Sequence, residues 1–542
     1  MENLTKLKLN EKEATMENLT KFKLNRRRWA VRLALTTGLA LLFIAALLWG
    51  LQGITPARAD PGDLYVDGAS GQDIPACGTT ITPCQTISYT LNSRASDGDT
   101  ILITTGTYTE NLTIAGITVT LRGNYTISGT LWLTGTGKTV INGNDADHVF
   151  VIWDSNSVLE NLTITGGKAP PADFWGGGVW ITNGDVTIRS STITGNVAGE
   201  GGAGIEVNDD TGPAHLTLES STVSYNTGGQ VGGLRVWGGN ASAEVRDVKF
   251  VGNTANEGGG IGIGGGIAVV NGSSAVIVDT RLFSNTAGHG GGGIMVDAAA
   301  QAEITNIVVE HNRADHGGGI AVRGGASAYI SGTRVISNTA DAAGGGVGIW
   351  NNGPVVVMAN TVISGNCGSG LDMWEPGGTF TGTNLLIVGN RSGSGIAGIA
   401  LWGSSGGRLM NVTVSGNDSA TGSDGAVVEG PVSGFPIVNS IFWGNETDGA
   451  NLSGSNLNVS YSDVQGGFAG TGNIDADPLF VDAANGNYRL GVGSPCTDKG
   501  TPIGAPTHDI QGTPRDTAPD MGAYEWTGFR IFLPLTLRNV GP

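Results

Sequence analysis

Short apolar alternations with no helical period run through most of this chain, and between Gly176 and Asn445 they fall into a unit repeated about ten times. The front half of the unit reads Gly344-Gly345-Gly346-Val347-Gly348-Ile349-Trp350; the back half reads Val362-Ile363-Ser364-Gly365-Asn366. In a strand, successive side chains face opposite sides. The first and third residues of the front strand are apolar in unit after unit, as in Val179 and Ile181, Leu234 and Val236, Ile294 and Val296, Ile320 and Val322. Each back half ends on an asparagine: Asn196, Asn226, Asn253, Asn285, Asn312, Asn338, Asn366, Asn390, Asn417 and Asn445, spaced 24 to 32 residues apart. A period of that size predicts a solenoid. One such unit cannot bury its own apolar face, whereas stacked units share a continuous core. Gly and Asn suit the sharp corners at least cost, and asparagines stacked at strand spacing should bond along the stack as an amide ladder. At ~4.8 Å per coil the repeat makes a rod about 50 Å long. The predicted fold is an all-β parallel β-helix of about 12–14 coils.

These repeats resemble the right-handed parallel β-helix of the pectin-lyase-like superfamily, and the right-handedness follows from that resemblance. Residues 60–114 read as an N-terminal cap and first coil, with a short strand at Asp63-Leu64-Tyr65-Val66 and a helix within Thr86–Ala95. This part resembles the N-terminal segment of secreted bacterial β-helix proteins, in which a helix plugs the first coil. Cys77 and Cys84, seven apart in a segment read as exported, point to a local disulfide, with a free pair or a metal pair as alternatives. Residues 115–470 carry the coils, including looser ones such as Leu131-Trp132-Leu133. Residues 471–527 change character, with Asp477-Pro478-Leu479-Phe480, Asn485-Gly486-Asn487-Tyr488, Gly493-Ser494-Pro495-Cys496, Asp509-Ile510-Gln511-Gly512 and Asp520-Met521-Gly522-Ala523-Tyr524-Glu525 in succession. That order resembles the C-terminal region of the bacterial choice-of-anchor Q β-helix proteins, departing from it at Cys496, where a small Ala is usual; this region is expected to act as a C-terminal capping module.

The two ends read differently from the coils. In residues 1–59, Arg26-Arg27-Arg28, an uncharged run from Leu33 to Ala57 and Ala57-Arg58-Ala59 make a secretory signal peptide, with an uncleaved membrane anchor as the alternative. Met1-Glu2-Asn3-Leu4-Thr5-Lys6 recurs from Met16, an alternative start. Residues 528–542 form an apolar tail, either a docking segment or a last strand.

Composition narrows the partners. With 92 glycines and 14% charged residues, the chain reads as an extracellular β protein. Residues 60–542 hold 19 basic and 43 acidic side chains. This balance excludes nucleic acid and weighs against anionic polysaccharides unless a cation bridges them. The expected protein is a monomer that meets the membrane only through its signal or anchor segment.

Candidate chemistry lies on the outward positions of the front strands. Trp237, Trp350, Trp374 and Trp402 fall in one column, the last three consecutive. Stacked one coil apart they would offer a flat strip for sugar rings; the other reading is that the rings cover one another. Lyases of the family the chain resembles use carboxylates to hold Ca²⁺ and a basic residue to take a proton. Asp297 with Arg323, or Glu206 and Asp209 with Arg235, would fill those roles, against the alternative of ion pairs on a solvated sheet. His289 and His316, one coil apart, are the metal candidates, without a third ligand. The expected protein is therefore a secreted or surface-attached rod that binds extracellular polysaccharide or cell-wall glycan or mediates adhesion. A lyase or hydrolase on the same face, and a purely structural rod, are the alternatives.

Overall fold

A computed structural model of the chain describes residues 62–528, apart from 171–174, 257–263, 375–376, 394, 422–424, 432 and 446–449. The expected signal peptide and the tail beyond Gly528 lie outside the described residues.

The repeats wind into a parallel β-solenoid. Each front strand joins a 13-stranded sheet, and the back halves join a 28-stranded one. A third, six-stranded sheet, from Val197–Ala198 to Thr339–Ala343, takes the residues after each asparagine. The register keeps equivalent residues in line: Ile205 faces Leu234, Leu234 faces Ile267, and Ile267 faces Ile294. The inward pairs from Val179 and Ile181 to Ile399 and Leu401 are fully buried in one continuous core.

The asparagines form the expected ladder. Each amide from Asn196 to Asn445 points inward, almost wholly buried. Asn285 Nδ2 donates to Asn312 Oδ1 at 2.9 Å, and Asn312 Nδ2 to Asn338 Oδ1 at 2.9 Å. Each amide also donates to a carbonyl in the preceding coil, as Asn312 does to Leu282 O at 3.0 Å. The corner itself is made by the residue before each asparagine: Gly365 at φ 63°, but also Tyr225 at 53° and Ser284 at 55°. There an L side chain is tolerated because the ladder on one side and the strand on the other fix the backbone.

The N-terminal end is closed by the helix Ile87–Ser93, whose Ile87 and Leu91 enter the core. Thr86 caps it by accepting from Tyr89 N, and the Glu110 carboxylate accepts from the free N–H groups of Ile87 and Ser88. Cys77 and Cys84 are joined as a disulfide beside it. Leu131-Trp132-Leu133, read above as part of a coil, is instead an antiparallel hairpin against Thr120–Ser128. Its Trp132 leaves the stack to pack edge-on against Tyr65 and donates to Thr80 O.

The C-terminal region lies along the side of the last coils. Asn384, Asn411 and Asn439, three corner residues of successive coils, donate to the carbonyls of His508, Asp520 and Thr501. Tyr488 and Ala523 cover Leu386 and Val388, while Leu490, Cys496 and Met521 cover Ile441. The charged motif residues are consumed internally. Arg515 and Glu525 pair at 2.8 Å, almost fully buried, and Asp509 accepts from the backbone of Gln511, Thr513 and Glu525.

Burial pushes the carboxyls of Asp520 and Asp372 up to about 7 and that of Asp463 to about 6, from an ordinary 3.8. The folded chain therefore holds protons that the unfolded chain has lost above pH 4. Stability should fall as pH rises through 5 to 7 and level off above 8, by on the order of a few kcal/mol in all. A thermal midpoint that rises from pH 6 to pH 8 would contradict this.

Candidate functional site

The register places the outward residues of the front sheet in two columns. One runs Trp180, Glu206, Arg235, Ala268, Met295, Ala321, Gly348, Asp372, Ala400. The other runs Trp153, Thr182, Asn208, Trp237, Val270, Asp297, then Arg323, Trp350 and Trp374. The sequence suggested that both columns face solvent. The structure corrects this for the first column: Glu206, Arg235, Ala268, Met295 and Ala321 have no exposure. The glycine-rich turn before each front strand folds back over the sheet. A Cβ on Gly290 would lie 2.8 Å from Met295 Cε and 3.2 Å from the Trp350 ring. The glycines thus let the turn backbone lie flat on the sheet, and Met295, Ala321, Val270 and Trp350 form a second apolar cluster beneath it.

That roof changes the reading of the candidate charges. Arg235 donates from Nε and Nη2 to both oxygens of Glu206 at 2.7–3.0 Å and from Nη1 to Gln230 at 2.7 Å. Its guanidinium lies between the rings of Trp175 and Trp237, 4.4 and 4.7 Å from their centroids. Gly202 N donates to Glu206 Oε2 at 2.7 Å. The pair is closed and dry. Asp297 is likewise held by Arg323 at 2.8 Å and by Ala298 N at 2.7 Å. Asp209 accepts from Asn240 N. Calcium takes six to eight oxygens, and Glu206 and Asp297 already direct theirs to an arginine, while Asp209 is engaged by Asn240 N. Arg235 and Arg323, the candidates for the proton-taking role, are each held by one of these carboxylates.

The tryptophans divide. Trp350 and Trp374 stack at 4.8 Å and 7° between planes, so Trp350, 7% exposed, is a packing residue and not the open sugar contact suggested by the sequence. Trp237 is half-buried over Arg235. Trp374 is half-buried, and Trp402 is 37% exposed. The N–H of Trp402 donates to Met373 O at 2.8 Å, which keeps it in register with Trp374. At the far end of the same column Trp153 is 46% exposed. Sequence reasoning missed it, because Phe150-Val151-Ile152-Trp153 lies before the regular repeat; the alternation of Phe150 and Ile152 was the available signal.

His289 and His316 meet edge to face at 5.6 Å, and His316 packs on both Trp350 and Trp374 at 5.5 and 5.1 Å. Burial, with His289 next in effect, holds the His316 imidazole below its usual range. The two histidines therefore buttress the ring stack, and no third metal ligand joins them among the described residues. Asp372 was not among the candidates. Its Oδ1 is buried without a hydrogen-bond partner, and its ladder neighbours are Gly348 and Ala400. It is the one carboxylate of the first column with no basic partner.

A family described as a right-handed β-helix region matches residues 62–255 and 177–356, overlapping spans that together cover more than half of the chain. No curated protein matches. Among solved structures, the pectate lyase Pel9A is 13% identical, covering 87% of this chain and 98% of its own, with a TM-score of 0.29. The XylC complex with xylose is 11% identical, covering 85% and 98%, at 0.32. The GH136 lacto-N-biosidase from Eubacterium ramulus is 13% identical, covering 73% and 67%, at 0.32. At these scores the likeness carries no argument about activity.

Proposed function

We propose, for a chain that belongs to the right-handed β-helix family, a protein that binds extracellular polysaccharide along the tryptophan column of its front sheet. The observation that carries this reading is the set of tryptophans in one column that reach the surface: Trp153 and Trp402, exposed, and Trp374, half-buried. Nine coil steps separate the first from the last, about 43 Å at ~4.8 Å per coil. Aromatic rings in line on a rigid sheet suit the C–H faces of successive sugar rings. Trp350 and His316 pack against the Trp374 ring and hold it in place, which lowers the ordering cost of binding.

An extracellular setting fits the signal-like segment 1–59 and the Cys77–Cys84 disulfide. The resemblance of residues 471–527 to choice-of-anchor Q proteins supports a surface-attached form. Hydrolysis or elimination is the weaker reading, since Glu206 and Asp297 are each locked to an arginine.

The test is co-sedimentation of the full chain with a panel of insoluble polysaccharides. The Trp374→Ala/Trp402→Ala protein should bind at least tenfold more weakly than wild type. Equal binding by the two proteins, or sedimentation of neither, would sink the proposal.

A further inference from the structure

The geometry points to neutral glycans as the class taken by the tryptophan column, with uronate chains turned away. This rests on the column being a sugar-binding surface, and concerns only which sugars it accepts.

The argument is one of uncompensated charge. Among the described residues the two columns hold two cations. Arg235 is fully buried, with Glu206 and Gln230 occupying its donors and a tryptophan on either side, so no ligand reaches it. Arg323 lies nearer the rings, 5.9 Å from the Trp350 centroid, but its guanidinium is bound to Asp297 at 2.8 Å. The carboxylates beside the open rings are in the opposite state. Asp372, two residues before Trp374 on the same side of the strand, has no partner for Oδ1, and Gly348 and Ala400 on either side offer no donor. Glu429 is exposed and sits next to Trp402 in the column, as the pairing of Leu401 with Val428 requires.

A uronate laid on Trp374 and Trp402 would bring its own carboxylate beside the exposed Glu429, which repels it, and beside Asp372, whose ionisation burial already disfavours, and among the described residues no free cation of the two columns balances it. A neutral pyranose brings what the site lacks: hydroxyl donors for Glu429, and a C–H face for the rings. The selectivity thus follows from side chains at the rings themselves, beyond the overall acidity of the chain.

Affinity electrophoresis of the full chain tests this, through gels holding soluble glucan, xylan or mannan in one set and polygalacturonate or alginate in another, with chelator present. The expected result is retardation by at least one neutral polymer, lost in Trp374→Ala/Trp402→Ala, and none by the uronates. Tryptophan-dependent retardation by a uronate would overturn the neutral class while leaving polysaccharide binding intact. Retardation by neither set would overturn both. Asp297→Asn, which releases Arg323 beside the rings, should gain uronate retention by about tenfold; no gain would overturn the claim that charge is what excludes uronates.

Discussion

Asn312→Ala should lower the stability of the solenoid by about 3–5 kcal/mol, among the largest single-residue losses expected outside the apolar core. Asn312 is 1% exposed and sits mid-ladder. Its Nδ2 donates to Asn338 Oδ1 and Leu282 O, and its Oδ1 accepts from Asn285 N and Nδ2, all at 2.9–3.0 Å. Alanine leaves the Asn285 N–H without its acceptor and takes one bond each from Asn285 Nδ2, Asn338 Oδ1 and Leu282 O, although Asn285 Nδ2 keeps Phe250 O and Asn338 Oδ1 keeps the Asn312 N–H. The orphaned N–H costs about 1–3 kcal/mol and each lost bond about 0.5–1.5 kcal/mol, partly relieved by local relaxation. Because every coil rests on its neighbours, the defect should open the stack at that point, visible as a lower urea midpoint and new proteolytic cleavage near coil 285–338. Asn451, which accepts from Asn445 at the ladder's last rung and is 7% exposed, should cost clearly less when replaced by alanine. Equal losses at the two positions would mean that the ladder is not what binds the coils.

Glu206→Ala should cost about 3–5 kcal/mol, because it leaves the Arg235 guanidinium charged and buried without its counterion. Stacking on Trp175 and Trp237 returns only a part of that. The double replacement Glu206→Leu/Arg235→Met should recover most of the loss, since a buried pair exchanged for apolar side chains of similar volume is often neutral. Urea unfolding of the three variants checks both statements. A loss below about 1 kcal/mol for Glu206→Ala would place this pair in water, contrary to the roof formed by the glycine-rich turns.

These two expectations mark where the sequence was legible and where it was not. The inward pairs and the ladder asparagines repeat at a fixed period, so their stacking follows from spacing alone. The pairing of Glu206 with Arg235 was also readable, since both hold the same place in adjacent units. Their burial was not. Alternation tells which side of a strand a residue faces, but nothing in Gly290-Gly291-Gly292 says that the turn carrying it lies back over Met295. The same limit made Trp350 look like an open contact when Trp374 covers it. Trp153 and Trp132 escaped for a different reason: both precede the regular repeat, where register cannot be counted from the glycines or the asparagine. Asp372 went unremarked because its character comes from what surrounds it, a glycine and an alanine in the adjoining coils.

The central claim is that sugar chains lie along the open tryptophans of the front sheet, and oxidative footprinting with hydroxyl radicals measures this directly. In the presence of a bound polysaccharide, Trp374 and Trp402 should be protected, with Trp153 joining them on longer chains. Trp526, 38% exposed on the C-terminal region, should oxidise as before. Unchanged oxidation of Trp374 and Trp402 under conditions where the chain demonstrably holds polysaccharide would place the binding surface elsewhere and contradict the account.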